Sequence, residues 1–293
     1  MKVENHIDHE SFFQEQLQTW TLARQNYEGL ETVQLRVLQL RGCDIAVQFN
    51  PARMVSTGAS IDKKVIAERP CFLCGKNRPA EQTGVPLLGH YELLVNPFPI
   101  LPRHFTLASL RHEPQSIRAS YVDMMRMAGL LPSLFLFYNG PRCGASAPDH
   151  LHFQAGSRGI VPLERDFKSS DTTSGISELR GYLVRGWVIQ AATPEESGHL
   201  FSSLYETMPI PEGDTEPMMN LLSWYATEAQ HFVTIVIPRR KHRPLCYSAE
   251  GEEKCLVSPG ALDMGGLIIT PRVEDFGRMT PELAQQILSE VGL

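Results

Sequence analysis

The sequence has no apolar stretch approaching the ~18 residues that a membrane-crossing helix needs, so no membrane-spanning role is expected. Its start, MKVENHIDHESFFQEQLQTW, lacks the positive end and following apolar run of a secretory signal, and a cytoplasmic location is the expectation. An excess of positive charge is missing too: 27 basic residues against 33 acidic ones leave a net charge of −6. A nucleic-acid coat or a membrane-surface domain would normally show the opposite balance, so neither partner is expected. Cysteine is scarce, with six unevenly spaced residues, which excludes the dense disulfide framework of a small secreted domain. Low-complexity tracts and alignable repeats are also absent. What remains is a globular composition, 42% hydrophobic over 293 residues, enough for one large core or two modest ones.

Residues 10–28 space Phe12, Phe13, Leu17, Trp20, Leu22 and Tyr27 in a roughly helical pattern that ends at Gly29. Thr32 to Phe49 alternates in part around Arg41-Gly42, which predicts a hairpin. HYELLVNPF and HFTLASL read as strands separated by the segment Pro97 to Pro102, and a helix is expected from about Pro114 to Leu131. FLFYNG, the loop GPRCGASAPD and the strand DHLHFQAG follow. Beyond a polar stretch, Ser157 to Ser177, the segments GYLVRGWVIQA, HFVTIVIPR and GLIITPR read as strands. Helices are expected at Glu195 to Met208 and Pro281 to Val291, completing an α+β pattern.

The chemistry concentrates in His150-Leu151-His152-Phe153-Gln154. On a strand, every second side chain shares a face, so His150, His152 and Gln154 converge while Leu151 and Phe153 pack into the core. Just upstream, Asn139-Gly140-Pro141-Arg142-Cys143-Gly144-Ala145-Ser146 is rich in small residues, whose backbone can approach a ligand and offer N–H groups to phosphate oxygens. Ser146 adds a hydroxyl. A neutral imidazole beside such a cradle can attack phosphorus.

The string N-G-x-x-x-G-x-S-x-x-x-H-x-H-x-Q resembles the active site of the histidine-triad superfamily, in the branch of galactose-1-phosphate uridylyltransferase, diadenosine tetraphosphate phosphorylase and GDP-galactose phosphorylase. That branch has Gln where hydrolytic members have a third His. The resemblance implies antiparallel sheets flanked by helices, with two histidine-triad-like halves in one chain. It makes His152 the nucleophile, has Gln154 and Ser146 hold the phosphates, and places Asn139 and Gly144 in the phosphate loop. Asn96, in LLVNPFPIL, matches the position expected to touch the ribose. Asn220 to Leu222, VIPRRKHRP and VSPGALDMGGLIITPR resemble the C-terminal part of the phosphorylases, so the resemblance covers about Phe49 to Arg272. The division expected is residues 1–48 as a helix and strands packed on the core, 49–165 as the catalytic half, and 166–293 as a second half completing the nucleotide pocket.

Cys71-Phe72-Leu73-Cys74, between Pro70 and Gly75, has the spacing that lets two thiolates reach one Zn²⁺ from a tight turn. A redox dithiol and a metal-free buried pair are the alternatives. Uridylyltransferases complete such a site with the first His of His-x-His and another just after the preceding strand, which here implies His150 and His112. His104, at the near end of the same strand, is the rival to His112. A structural zinc on His150 would steady the strand that carries His152.

Arg239, Arg240, Lys241, His242 and Arg243 follow an apolar strand, where a loop can bring cations over phosphates. Arg239, nearest the strand end, is the residue favoured for phosphate binding, with Arg53 and Arg142 behind it. The expected reaction is transfer of a nucleoside monophosphate from a nucleotide sugar or dinucleoside polyphosphate to phosphate or a sugar phosphate, by way of His152, in a monomer or homodimer. The rival readings are a nucleotide hydrolase and a non-catalytic zinc-stapled nucleotide-binding module.

Overall fold

The computed structural model describes residues 7–40, 42–54, 63–167 and 173–293. Its spine is a nine-stranded sheet in the order β3-β4-β5-β7-β6-β10-β11-β9-β8, antiparallel throughout. Five strands come from β3 (Gly84–Leu87), β4 (Tyr91–Val95), β5 (His104–Ser109), β6 (Leu134–Asn139) and β7 (His152–Ser157). Four come from β8 (Gly175–Glu178), β9 (Trp187–Ala191), β10 (Met219–Ala226) and β11 (His231–Pro238). The two sets meet where β6 pairs with β10.

Every residue of β6 is buried, and its alternation divides the core into two layers. Leu134, Leu136 and Tyr138 join the layer under the helices His9–Thr19, Tyr121–Leu130 and Pro194–Tyr205. Phe135 and Phe137 join the other, under the C-terminal helix Pro281–Val291 and a second sheet. That sheet has the order β1 (Gln34–Leu40), β2 (Cys43–Phe49), β12 (Leu267–Thr270), with β12 parallel to β2. Both layers draw on both sets of strands. The fold is therefore α+β, with large antiparallel sheets flanked by helices. Among the described residues, no helix is long and apolar enough to cross a membrane.

Several elements differ from the sequence expectation. The first helix is two, His9–Thr19 and Thr21–Leu30, because Trp20 adopts an extended conformation and is buried at the joint. The helix expected from Pro114 begins at Tyr121, and the preceding loop supplies hydrogen bonds to the site instead. In GYLVRGWVIQA only Trp187–Ala191 is strand. Gly181 has a left-handed φ of 72°, and a Cβ at Gly186 would lie 2.8 Å from the Val236 carbonyl oxygen, so the chain turns there. Strands β3, β8 and β10 carry too little alternation to announce themselves. Gly42 turns the expected hairpin, at φ 92°.

Candidate active site and metal cluster

Strand β7 begins at His152, flanked by β5 and β6. Leu151 and Phe153 enter the helix-side core, as the alternation predicts. His152 and Gln154 therefore take the opposite face, where cross-strand register sets Ala108 beside His152 and Thr106 and Phe137 beside Gln154. Asn96 is on this face too, half-buried, its amide reaching the Thr106 hydroxyl.

The hydrogen bonds of His152 decide its chemistry. Nδ1 lies 2.8 Å from the His150 carbonyl oxygen, which can only accept, so Nδ1 carries the proton. The lone pair is then on Nε2, for which the described residues offer no hydrogen-bond partner. Burial pushes the imidazole pKa down to about 4, so it is neutral at pH 7. Its backbone is held on both sides by Gln115, which accepts from the His152 N–H at 2.8 Å and donates to its carbonyl at 3.0 Å. The same Gln115 amide donates to the Asn139 carbonyl, tying the loop to the strand.

The Gly-rich loop is buttressed from behind by the C-terminal segments. Asn139 Oδ1 accepts from Ala261 N–H at 2.7 Å and from the Asn220 amide at 2.9 Å. Asn220, fully buried, also donates to the Cys143 carbonyl at 2.8 Å. Gly144 has φ 100°, and a Cβ there would lie 2.8 Å from Gly260 Cα, so both conformation and packing demand glycine. Asp263 holds the supporting turn, accepting from Gly260 N–H and Ile269 N–H; burial pushes its carboxyl up to about 6. Ser146 is exposed at the loop's end, its carbonyl bonded to Arg69.

The cations are arranged otherwise than the sequence suggests. Arg239 is 4% exposed, and its guanidinium donates to Val291, Pro259, Lys241 and His242 carbonyls and to Asn220 Oδ1. With all five N–H groups engaged, this arrangement leaves none for a phosphate. Arg239 is instead a strut of the same buttress, since a strand-end arginine can turn inward when carbonyls surround it. Arg142, exposed, directs one guanidinium nitrogen, Nη1, at both carboxylate oxygens of Asp214, 3.1 Å from each. Arg53 differs: it is half-buried, donates to the Phe98 carbonyl, and has no carboxylate within ion-pair distance among the described residues. Its charge adds to burial in lowering the His104 pKa, and Asp263 favours its charged form.

Cys71, Cys74, His112 and His150 form a separate cluster, with all four ligand atoms within 4.8 Å of one another. His112 Nδ1 and His150 Nδ1 are 3.3 Å apart, and the sulfur-to-nitrogen distances from Cys71 to His150 and from Cys74 to His112 are both 3.3 Å. Cys74 Sγ to His150 Nδ1 is 3.6 Å. A tetrahedral Zn²⁺ with Zn–S of about 2.3 Å and Zn–N of about 2.0–2.1 Å separates two nitrogens by roughly 3.3 Å and a nitrogen from a sulfur by roughly 3.6 Å. The residues thus fit such an ion. His150 turns its other nitrogen to the Ser109 carbonyl at 2.8 Å, the outer contact that orients a metal-binding imidazole. His104 is elsewhere: its Nδ1 accepts from Ile100 N–H and its Nε2 faces Gln154.

Sequence reasoning missed Gln115, Asp263 and the pairing of His104 with Gln154. Gln115 carries no signal, being one amide in a proline-flanked loop. Asp263 had one, its place in the PGALD turn.

Residues 12–157 match the family model of a domain of unknown function, DUF4922. No curated protein matches the sequence. Among solved structures, yeast Ap4A phosphorylase Apa2 in complex with AMP is 16% identical, with 96% of this chain and 95% of that chain covered and a TM-score of 0.64. The same yeast protein in complex with Ap4A is 15% identical, with 93% and 97% covered and a TM-score of 0.62. The chain thus shares the fold of these yeast Ap4A phosphorylase structures.

Proposed function

We propose that the protein is a nucleotidyltransferase of the phosphorylase kind, with His152 as the nucleophile. Nε2 of His152 attacks the α-phosphorus of a nucleotide, forming a P–N bond as the bond to the leaving phosphate or sugar phosphate breaks. An inorganic phosphate or a sugar phosphate then attacks the same phosphorus and releases the imidazole. The donor is a dinucleoside polyphosphate or nucleotide sugar. The observation that carries this reading is the hydrogen bond that His152 Nδ1–H donates to the His150 carbonyl, which leaves the lone pair on Nε2, in a side chain that shares its face with Gln154. The fold likeness to a phosphorylase crystallised with AMP and with Ap4A supports a nucleotide as the substrate.

Negative charge developing on the phosphoryl oxygens is met by N–H groups of the loop 139–146, the Ser146 hydroxyl and the Gln154 amide, with Arg53 taking the cationic role first given to Arg239. Asn96 contacts the ribose. Cys71, Cys74, His112 and His150 hold a structural zinc, which supplies a closed, rigid node and no reacting ligand. Residues 49–165 are the catalytic half and residues 166–293 a second half that completes the nucleotide pocket, while the described residues 7–40 and 42–48 pack against the core.

The test is covalent labelling. Purified protein is incubated with α-³²P-labelled ATP, GTP, UTP and nucleotide sugars. Acid-labile, base-stable label that vanishes in His152→Ala supports the transfer reading, and the donor that works names the base. Nucleotide binding without label from any donor would overturn it in favour of a binding module.

A further inference from the structure

We propose that His104 is a positioning residue: it fixes which end of the Gln154 carboxamide faces the phosphoryl group, so that Gln154 acts there only as a donor. This rests on the nucleotidyl-transfer reading above. A carboxamide has an accepting oxygen and a donating NH₂, and it can present either. Phosphoryl oxygens only accept, so the wrong end would set oxygen against oxygen.

The geometry removes this ambiguity through a chain of assignments. Ile100 N–H is a donor and nothing else, and it points at His104 Nδ1 at 3.1 Å, so Nδ1 is the unprotonated nitrogen. The ring proton is then on Nε2, 2.9 Å from Gln154 Oε1. The amide oxygen is occupied, which leaves the NH₂ as the end that Gln154 can offer on the face it shares with His152. Since His104 is fully buried, water cannot substitute for either partner. Its ring lies 5.8 Å from that of Phe137, which limits its rotation.

The backbone of His104 is held equally firmly. Its carbonyl accepts from the Tyr27 hydroxyl at 2.8 Å and from Asn96 N–H at 2.9 Å. Phe13 stacks edge-on against both Tyr27 and Phe105, and Asn26 donates to the Pro97 carbonyl. The N-terminal helices, for which the sequence suggests no role in the chemistry, thereby brace the residue that orients Gln154.

Two measurements test this. In the wild-type protein, long-range ¹H–¹⁵N correlation spectra report the tautomer of each histidine; the His104 pattern, identified by its loss in His104→Gln, should show the proton on Nε2. A proton on Nδ1 would overturn the proposal, whether or not the protein transfers nucleotides. The second measurement is a cycle of His104→Phe, Gln154→Ala and the double variant, with folding checked by circular dichroism. His104→Phe should slow nucleotidylation by about 10- to 100-fold with little change in KM, and should cost nothing further once Gln154 is Ala. His104→Gln keeps one donor and one acceptor and should recover part of the rate. Losses that simply multiply in the double variant would overturn the proposal. Failure of all labelling in the wild type would defeat the transfer reading instead, leaving the tautomer to decide the orientation of Gln154.

Discussion

His150 and His152 are two residues apart, yet their surroundings solve opposite problems. Around His150, four side chains turn ligand atoms toward one another, so the region asks for an ion from outside the chain. Around His152, hydrogen bonds from the protein itself account for the ring proton and both backbone polar groups, and only Nε2 is left over. On the proposed reading, one site borrows its rigidity from an ion, and the other carries its own. The reactive atom, on the same reading, is the one that its neighbours leave unassigned.

The comparison predicts where each site breaks. The largest effect is expected for His152→Ala, at least about 10³-fold in the rate of nucleotidylation, with melting only modestly changed. A large loss of stability would show that His152 is part of the scaffold. Cys74→Ser should remove the zinc, measured as metal per chain, and lower the melting temperature by about 10 °C, as loss of several kcal/mol implies for a chain of this size. Unchanged melting with lost labelling would make the ion part of the chemistry, erasing the contrast between the two sites.

Asn220→Ala tests whether the self-held site depends on its buttress. It strips the donors from Asn139 Oδ1 and Cys143 O and leaves Arg239 short of an acceptor, so a loss of about 2–4 kcal/mol is expected in denaturant unfolding, together with slower labelling.

The smallest effect concerns Glu216, which accepts from Ile117 N–H and the Tyr138 hydroxyl near the same loop. Burial raises its carboxyl from 4.5 to about 7. A group raised in the folded state contributes stability that is full below about pH 4.5 and is lost as pH rises through about 7. Glu216→Gln, being neutral throughout, should therefore exceed the wild type in stability at pH 8 by no more than about 3 kcal/mol, and match it near pH 4.5. Equal stability at both pH values would show that water reaches this carboxylate.

Legibility followed periodicity and spacing. The Leu151/Phe153 against His152/Gln154 division was readable because a strand with both faces covered leaves little freedom in what each position carries. The cysteine pair was readable from its two-residue gap. His112 and His104 could not be separated by spacing, since they bracket one six-residue strand, and the choice needed the family resemblance. Arg239 was misjudged because sequence shows a cation but not the carbonyls that gather round it. Gln115 was invisible for a similar reason: its value lies in linking Asn139 to His152, segments that only the fold brings together.

The parallel pairing of β2 with β12 has a consequence in time. Residues 43–49 have no β12 partner until residues 267–270 exist, and the turn at Gly260 and Ala261 that supports the phosphate loop arrives only shortly before. Contacts this far apart in sequence close late in folding. During synthesis, Gln115 is therefore already made when the loop and His152 emerge, but the supporting turn comes more than a hundred residues later. On the proposed reading, a growing chain carries the parts of its reactive centre before the loop is fully held.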